Sequence, residues 1–311
     1  MDYDVIIIGC GPAGMSAGIY TGRLGLKVAI FESKDYGGNM ALASIIENYP
    51  GYTKTSGIEL TKKMLEQTKN AGAEIINDGI VRIEKKDKIF EVTTNENKSH
   101  ISKAIIIATG GEYRKLGIEG EEDFLGKGVS YCPHCDGPLF KDKNVVVVGG
   151  GDTAVTGAAY LADIVKNVYV VHKRDEFRAE DSNVKSLDQK KNVQLFLNYI
   201  PLKIEGDEIV KSLRIQSIST GEEKSLVADC IFVCVGDIPL VTLTQSIGVN
   251  INEKGAIITD RNQQTNVKGI FAAGDVTGGF RQIITAAAEG TTAAINAFQY
   301  IKSKEVTSYV K

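Results

Sequence analysis

At 311 residues the chain is long enough for two domains of ordinary size. Its 43% apolar and 24% charged content is that of a folded globular protein. A net charge of −3 with no basic run argues against a nucleic-acid partner. The first apolar run is too short to span a bilayer and lacks a signal-peptide layout, so a cytoplasmic protein with no membrane partner is expected. Five cysteines are too few for a disulfide scaffold in a chain of this length.

Val5-Ile6-Ile7-Ile8 is a β-branched run suited to a buried parallel strand. It opens into Gly9-Cys10-Gly11-Pro12-Ala13-Gly14, and residues 15–24 read as a helix. This is G-x-G-x-x-G in strand–turn–helix context. Gly9 permits the tight turn, Gly11 lets a pyrophosphate approach the backbone, and Gly14 lets helix and strand pack closely. The next strand, 27–31, ends in Glu32, 18 residues after Gly14. A carboxylate there accepts from ribose hydroxyls, which favours FAD or NAD and disfavours a 2′-phosphate.

Residues 36–39 and 46–51 read as ordinary turn-rich loops. A helix is expected over 57–71, with Leu60, Met64 and Leu65 inward, then strands near 74–83 and 89–93. A buried strand over 104–108 ends at Thr109-Gly110-Gly111, a small-residue exit where backbone can lie against a cofactor or simply turn. A domain crossing is placed at the start of the polar stretch that follows.

Next comes Tyr131-Cys132-Pro133-His134-Cys135-Asp136-Gly137. A C-x-x-C pair can close as a small, readily opened disulfide, and it is equally half of a zinc site. Its place between two nucleotide fingerprints favours the redox reading. Asp136 is the candidate to carry protons, and His134 either steadies a thiolate or is an exposed loop residue. Strand 144–148 then enters Gly149-Gly150-Gly151-Asp152-Thr153-Ala154, the G-x-G-x-x-A form of the fingerprint, with a helix to about 161.

Glu32 lies 23 residues after Gly9, and the same count from Gly149 lands on His172, beside Lys173, Arg174 and, further on, Arg178. One slot is acidic in the first unit and basic in the second. The basic group would attract a 2′-phosphate, Arg bidentately, so the second nucleotide is read as NADPH. A solvated strand end would look the same. Strands are expected over 192–199, 203–205, 209–217 and 225–235. Strand 269–276 ends in Gly274-Asp275, where the acid can bond a cofactor hydroxyl. A helix follows over 283–301. Cys230 and Cys234 share one expected strand, roughly 13 Å apart at the usual rise, which disfavours both a disulfide between them and a four-sulfur zinc site.

The motifs GCGPAG (9–14), IENYPG (46–51), ATGG (108–111), CPHCDG (132–137), GGGDTA (149–154), HKRDEFR (172–178), GIFAAGD (269–275) and Arg281-Gln282 stand in the order found in low-molecular-weight thioredoxin reductases, and the chain resembles that family over its full length. The resemblance implies an α/β fold with two Rossmann-like domains: an FAD domain in two pieces, 1–111 and 241–311, and an inserted NADPH and disulfide domain, 112–240. It implies a homodimer that takes thioredoxin as substrate. Gly38, Asn39, Asn48, Thr109, Asp275, Arg281 and Gln282, with neighbouring Gly110 and Ile283, would contact the flavin. Cys135 would face the flavin, Cys132 would exchange with thioredoxin, and a hinge near Gly111 and Val241 would present disulfide and nicotinamide in turn. The chain departs from the family at Asn39, usually Gln, at Lys173, usually Arg, and at Thr156-Gly157, usually two glutamates. Ferredoxin-dependent flavin thioredoxin reductases and the flavoprotein subunit of alkyl hydroperoxide reductase, which serves a peroxiredoxin, share parts of this pattern. The basic cluster distinguishes the chain from both.

Overall fold

A computed structural model describes residues 1–43 and 45–309. In chain order the elements are β1 (Tyr3–Ile8), α1 (Pro12–Arg23), β2 (Val28–Phe31), α2 (Gly57–Asn70), β3 (Glu74–Ile76), β4 (Ile80–Lys86), β5 (Ile89–Thr94), β6 (Ser99–Ile107), β7 (Gly111–Tyr113), β8 (Val129–Ser130) and α3 (Pro133–Asp136). They continue as β9 (Asn144–Val148), α4 (Asp152–Ala162), β10 (Asn167–His172), α5 (Asp181–Asp188), β11 (Val193–Leu197), β12 (Tyr199–Gly206), β13 (Val210–Ser217), β14 (Glu223–Val227), β15 (Cys230–Val233), β16 (Asp237–Pro239), β17 (Ile270–Ala272) and α6 (Ile283–Tyr309). The chain forms two compact units, Met1–Glu112 with the segment from Ile238 on, and Tyr113–Asp237. Among the described residues no helix is long and apolar enough to cross a membrane.

In the first unit the parallel strands run β3-β2-β1-β6, with β17 on the far side of β6 and the antiparallel β5 and β4 completing the sheet. Both faces are covered, which is why β1 is apolar at successive positions rather than at alternate ones. Val5, Ile7, Ile30, Ile106 and Phe271 pack with residues of α1, α2 and α6, while Ile6, Ile8, Phe31, Ile105 and Ile107 pack against Ile83, Phe90 and Val92. The entry to α2 is fixed by a capping box: Ser56 Oγ accepts from the Glu59 amide and the Glu59 carboxylate accepts from the Ser56 amide. Such a box is worth about 1 kcal/mol.

In the second unit the parallel order is β11-β10-β9-β15-β8, and β12-β13-β14 form a separate antiparallel sheet. Val145, Val147 and Phe232 face the α4 side, and Val146, Val148 and Ile231 face the antiparallel sheet.

Several expectations are corrected here. The strand read over 192–199 breaks at Asn198, whose φ of 60° is left-handed. β11 stays in the parallel sheet and β12 leaves it, and asparagine tolerates that turn better than most residues. The strand read over 225–235 is likewise two, β14 and β15, separated by Ala228-Asp229, with Asp229 bonded to the Asn144 backbone. α5 had no sequence signal, since Leu187 is its only buried side chain. The loop at 36–39 runs into a 3₁₀ turn, Gly38–Leu42, and the last helix extends to Tyr309.

Candidate active site

In the first unit the strand register brings scattered residues to one edge. Ile8 pairs with Phe31 and with Ile107, and Ile107 pairs with Ala272. The residues that follow these strand ends therefore meet: Gly9, Glu32, Thr109 and Gly274. This is the carboxyl edge where ligands of open α/β sheets bind. Gly9 has φ +105°, and a β-carbon there would stand 2.2 Å from the Ala108 carbonyl oxygen. One on Gly14 would stand 1.9 Å from the Gly9 oxygen, so α1 can pack on β1 only with glycine there. At Gly11 the nearest atom would be 3.9 Å away, so the backbone at the head of α1 is open to a diphosphate.

The loops expected to be ordinary turns close on this edge. The Gly37 amide donates to the Cys10 carbonyl at 2.9 Å. Asn39 Nδ2 donates to the Gly111 carbonyl at 2.9 Å and Asn39 also bonds Asp275. Asn48 Nδ2 donates to Gln282 Oε1 at 3.1 Å, at the start of α6 beside Arg281 and Ile283. Thr109 Oγ1 donates to the Leu240 carbonyl. Glu32 accepts from the Cys10, Ser33 and Lys34 amides, which holds its carboxylate at the end of β2. Burial pushes Asp275 up to about 6, with Glu289 adding to the rise. This assembly fits a dinucleotide: open backbone at a helix head, a carboxylate fixed at the end of β2, and amide and acid groups converging from three segments.

The second unit repeats the edge. Val148 pairs with both Val171 and Val233, so Gly149 and Cys234 follow their strand ends beside His172, the last residue of β10. A β-carbon on Gly149 would lie 2.2 Å from the Cys234 carbonyl, while one on Gly151 would meet nothing within 4 Å. Ala154 is fully buried in the position that Gly14 occupies in the first unit. The stretch after β10 folds back onto this turn: the Arg178 amide donates to the Gly150 carbonyl at 2.7 Å, and Asp152 Oδ1 accepts from the Glu180 amide and Asn183 Nδ2, each at 2.9 Å. Lys173, Arg174 and Arg178 are left exposed beside the turn, as is Thr153. His172 is placed differently. It is 5% exposed, lies beneath Gly150 and stacks on Phe177. Burial, then Arg178, lowers its pKa, so it supports the turn and adds no cation to the cluster.

Cys132 and Cys135 are joined to each other with Cα atoms 5.2 Å apart, at the head of α3. Cys10, Cys230 and Cys234 are free and buried, and burial pushes Cys10 and Cys234 up to about 12, which keeps them unreactive. Among the described residues no cluster could hold a metal ion. The Cys135 amide points at Cys132 Sγ at 3.2 Å, a donor that favours the thiolate on Cys132 once the bond opens. His134 is exposed, with its ring 4.4 Å from that of Tyr160. Gly157 takes part here: a β-carbon on it would come 2.9 Å from Pro133 Cγ, so the departure at Thr156-Gly157 lets α3 seat directly on α4.

Two residues at this site carried no sequence signal. Ser130 Oγ donates to Asp136 Oδ2 at 2.6 Å and accepts from the Cys132 amide at 3.0 Å, tying the acid to the first cysteine. Buried Glu121 accepts from the Tyr131 hydroxyl and from the Leu116 and Gly117 amides. Burial raises the Asp136 pKa, partly offset by Ser130, so the carboxyl keeps its proton to higher pH than an exposed one. Asp136→Asn is expected to slow turnover with the disulfide substrate about 10²-fold or more. Ser130→Ala should slow it less, about 10-fold, and both should leave flavin reduction unchanged in stopped flow. Equal turnover of Asp136→Asn and parent would remove Asp136 from proton transfer.

Residues 3–290 match the family model described as pyridine nucleotide-disulphide oxidoreductase. The chain is similar to the thioredoxin reductase of Treponema pallidum, 40% identical over 302 residues, covering 96% of this chain and 97% of that one. It is 39% identical to the thioredoxin reductase of Bacillus subtilis over 307 residues, 98% of this chain and 96% of the relative. Among solved structures, thioredoxin reductase from Streptococcus pyogenes superposes with a TM-score of 0.92 at 39% identity, covering 97% of this chain and 98% of the other.

Proposed function

From the premise that this chain belongs to the pyridine nucleotide-disulphide oxidoreductase family, we infer that it reduces the disulfide of thioredoxin with electrons from NADPH, by way of FAD and the Cys132–Cys135 pair. The observation that carries this reading is the disulfide at 132–135 in the same compact unit as a G-x-G-x-x-A turn flanked by exposed Lys173, Arg174 and Arg178. FAD, when bound, supplies two-electron chemistry that links a hydride donor to a disulfide.

The first unit would hold FAD through Gly9, Gly11, Pro12, Ala13, Gly14, Glu32, Gly38, Asn39, Asn48, Thr109, Gly110, Gly274, Asp275, Arg281, Gln282 and Ile283. The second would hold NADPH through Gly149, Gly151, Asp152, Thr153 and Ala154, with the 2′-phosphate on Lys173, Arg174 and Arg178 and with His172 supporting the turn. Cys135 is the sulfur that receives electrons. Cys132 leaves as a thiolate, steadied by the Cys135 amide, and attacks one sulfur of the thioredoxin disulfide. Cys135 then resolves the mixed disulfide, and Asp136 delivers a proton to the departing thiolate. Disulfide and nicotinamide belong to one unit and serve one flavin, so they take turns by movement about the crossings near Gly111 and Val241. The working form is a cytoplasmic homodimer.

Anaerobic titration of the FAD-loaded protein tests the reading. NADPH should bleach the flavin band within seconds, and NADH should require a much higher concentration. A flavin bleached by reduced ferredoxin but not by NADPH would replace the donor. Faster turnover with a peroxiredoxin system than with thioredoxin would replace the substrate.

A further inference from the structure

Gly274-Asp275 lies at the carboxyl end of β17, on the edge that gathers Gly9, Glu32 and Thr109. Something must fix this turn, because Gly274 has φ +82° and its amide sits where no strand partner follows. The group that does so is Glu289, in the second turn of α6. Glu289 Oε2 accepts from the Gly274 amide at 2.7 Å and from Thr277 Oγ1 at 3.1 Å, and Thr277 Oγ1 lies 2.9 Å from the Gly274 carbonyl. The same stretch of α6 presses on the first fingerprint. A β-carbon on Gly290 would stand 2.1 Å from the Ala13 carbonyl oxygen, and one on Gly274 would stand 3.0 Å from Ala13 Cβ.

We propose that Glu289 is a positioning residue for FAD, which locks the Gly274-Asp275 turn, α6 and the head of α1 into one preformed cradle. The proposal rests on the reading that this edge holds the flavin nucleotide. Asp275 is bonded to the Asn39 side chain, and the residue before it is pinned to α6 through the Gly274 amide. Preorganisation of this kind shows as affinity, because a loose turn must be ordered when FAD binds. Removing an acceptor from a buried amide also leaves that amide unpaired.

The test is the FAD dissociation constant of the full-length apoprotein, read from flavin fluorescence, with circular dichroism and thermal unfolding of the apoprotein alongside. Glu289→Ala should weaken FAD binding about 10- to 100-fold and speed its release. Glu289→Gln keeps an oxygen for the Gly274 amide and should stay within about 3-fold of the parent. If the alanine variant does not fold, Glu289→Met, which fills the space without an acceptor, takes its place and should match the alanine expectation. Asp275→Ala is the control for the underlying reading. Should Asp275→Ala weaken FAD while the alanine or methionine variant at 289 binds it normally, the role of Glu289 is overturned. Should Asp275→Ala bind FAD normally, the placing of FAD at this edge fails instead. Equal losses for Glu289→Gln and Glu289→Ala would also sink the proposal, since an acceptor would then not be what matters.

Discussion

The Cys135→Ser protein should reduce its flavin with NADPH at the parental rate and fail to reduce thioredoxin. A serine hydroxyl cannot pair with Cys132 Sγ, so the one disulfide among the described residues is lost and electrons have no sulfur to enter. Serine differs from cysteine by one atom and changes none of the residues assigned to the FAD and NADPH cradles, so hydride transfer to FAD is left alone. The expected fall in thioredoxin turnover is at least about 10³-fold, as for other covalent relays that lose their nucleophile. Free buried Cys230 and Cys234 cannot substitute, since burial raises the pKa of both thiols well above the ordinary cysteine range and keeps them protonated. The two halves are separable: stopped-flow bleaching reports flavin reduction, and an insulin-coupled assay reports thioredoxin. Cys132, left unpaired, should accumulate a mixed disulfide with thioredoxin that mass spectrometry detects. Parental thioredoxin turnover in this variant would refute the relay.

The second large effect is expected at the basic edge of the other cradle. Arg174 and Arg178 are exposed and lie on a segment pinned to the fingerprint turn by the Arg178 amide and by Asp152. Each guanidinium can make charge-assisted bonds to a 2′-phosphate, worth about 1.5–3 kcal/mol apiece. Arg174→Gln with Arg178→Gln should therefore raise the KM for NADPH about 10²- to 10³-fold with kcat little changed, a loss of uniform binding. NADH, which has no 2′-phosphate, should be used as before. The ratio of the two coenzymes is the informative readout, because a general loosening of the fold would impair both. An unchanged NADPH KM would mean that these side chains are only a solvated strand end.

Much of the scaffold is legible in the residues alone. Runs such as Val5–Ile8 and Val145–Val148 admit little besides a strand covered on both faces. The glycines at 9, 14 and 149 announce their turns because only glycine meets those backbone and packing demands, and those at 11 and 151 leave the helix heads open. The acidic end of β2 and the basic end of β10 could be set side by side by counting, since both follow the same strand–turn–helix–strand unit. Counting did not separate His172 from its neighbours. The fold turns that side chain beneath Gly150 and leaves Lys173, Arg174 and Arg178 outside.

The remainder depends on segments far apart in the chain. Asn39 meets Gly111 and Asp275, Asn48 meets Gln282, and Glu289 meets Gly274 only because the parallel register carries four strand ends to one edge. Ser130 and Glu121 left no trace in any motif, since a hydroxyl or a carboxylate becomes a support only when a second chain segment presents the group it holds. The break at Asn198, which sends β11 and β12 to different sheets, is of the same kind. The strand and turn units were thus settled by local sterics and hydrophobic pattern, which act over a few residues. The groups that steady the two cradles and the sulfur pair were settled by packing, which acts through space.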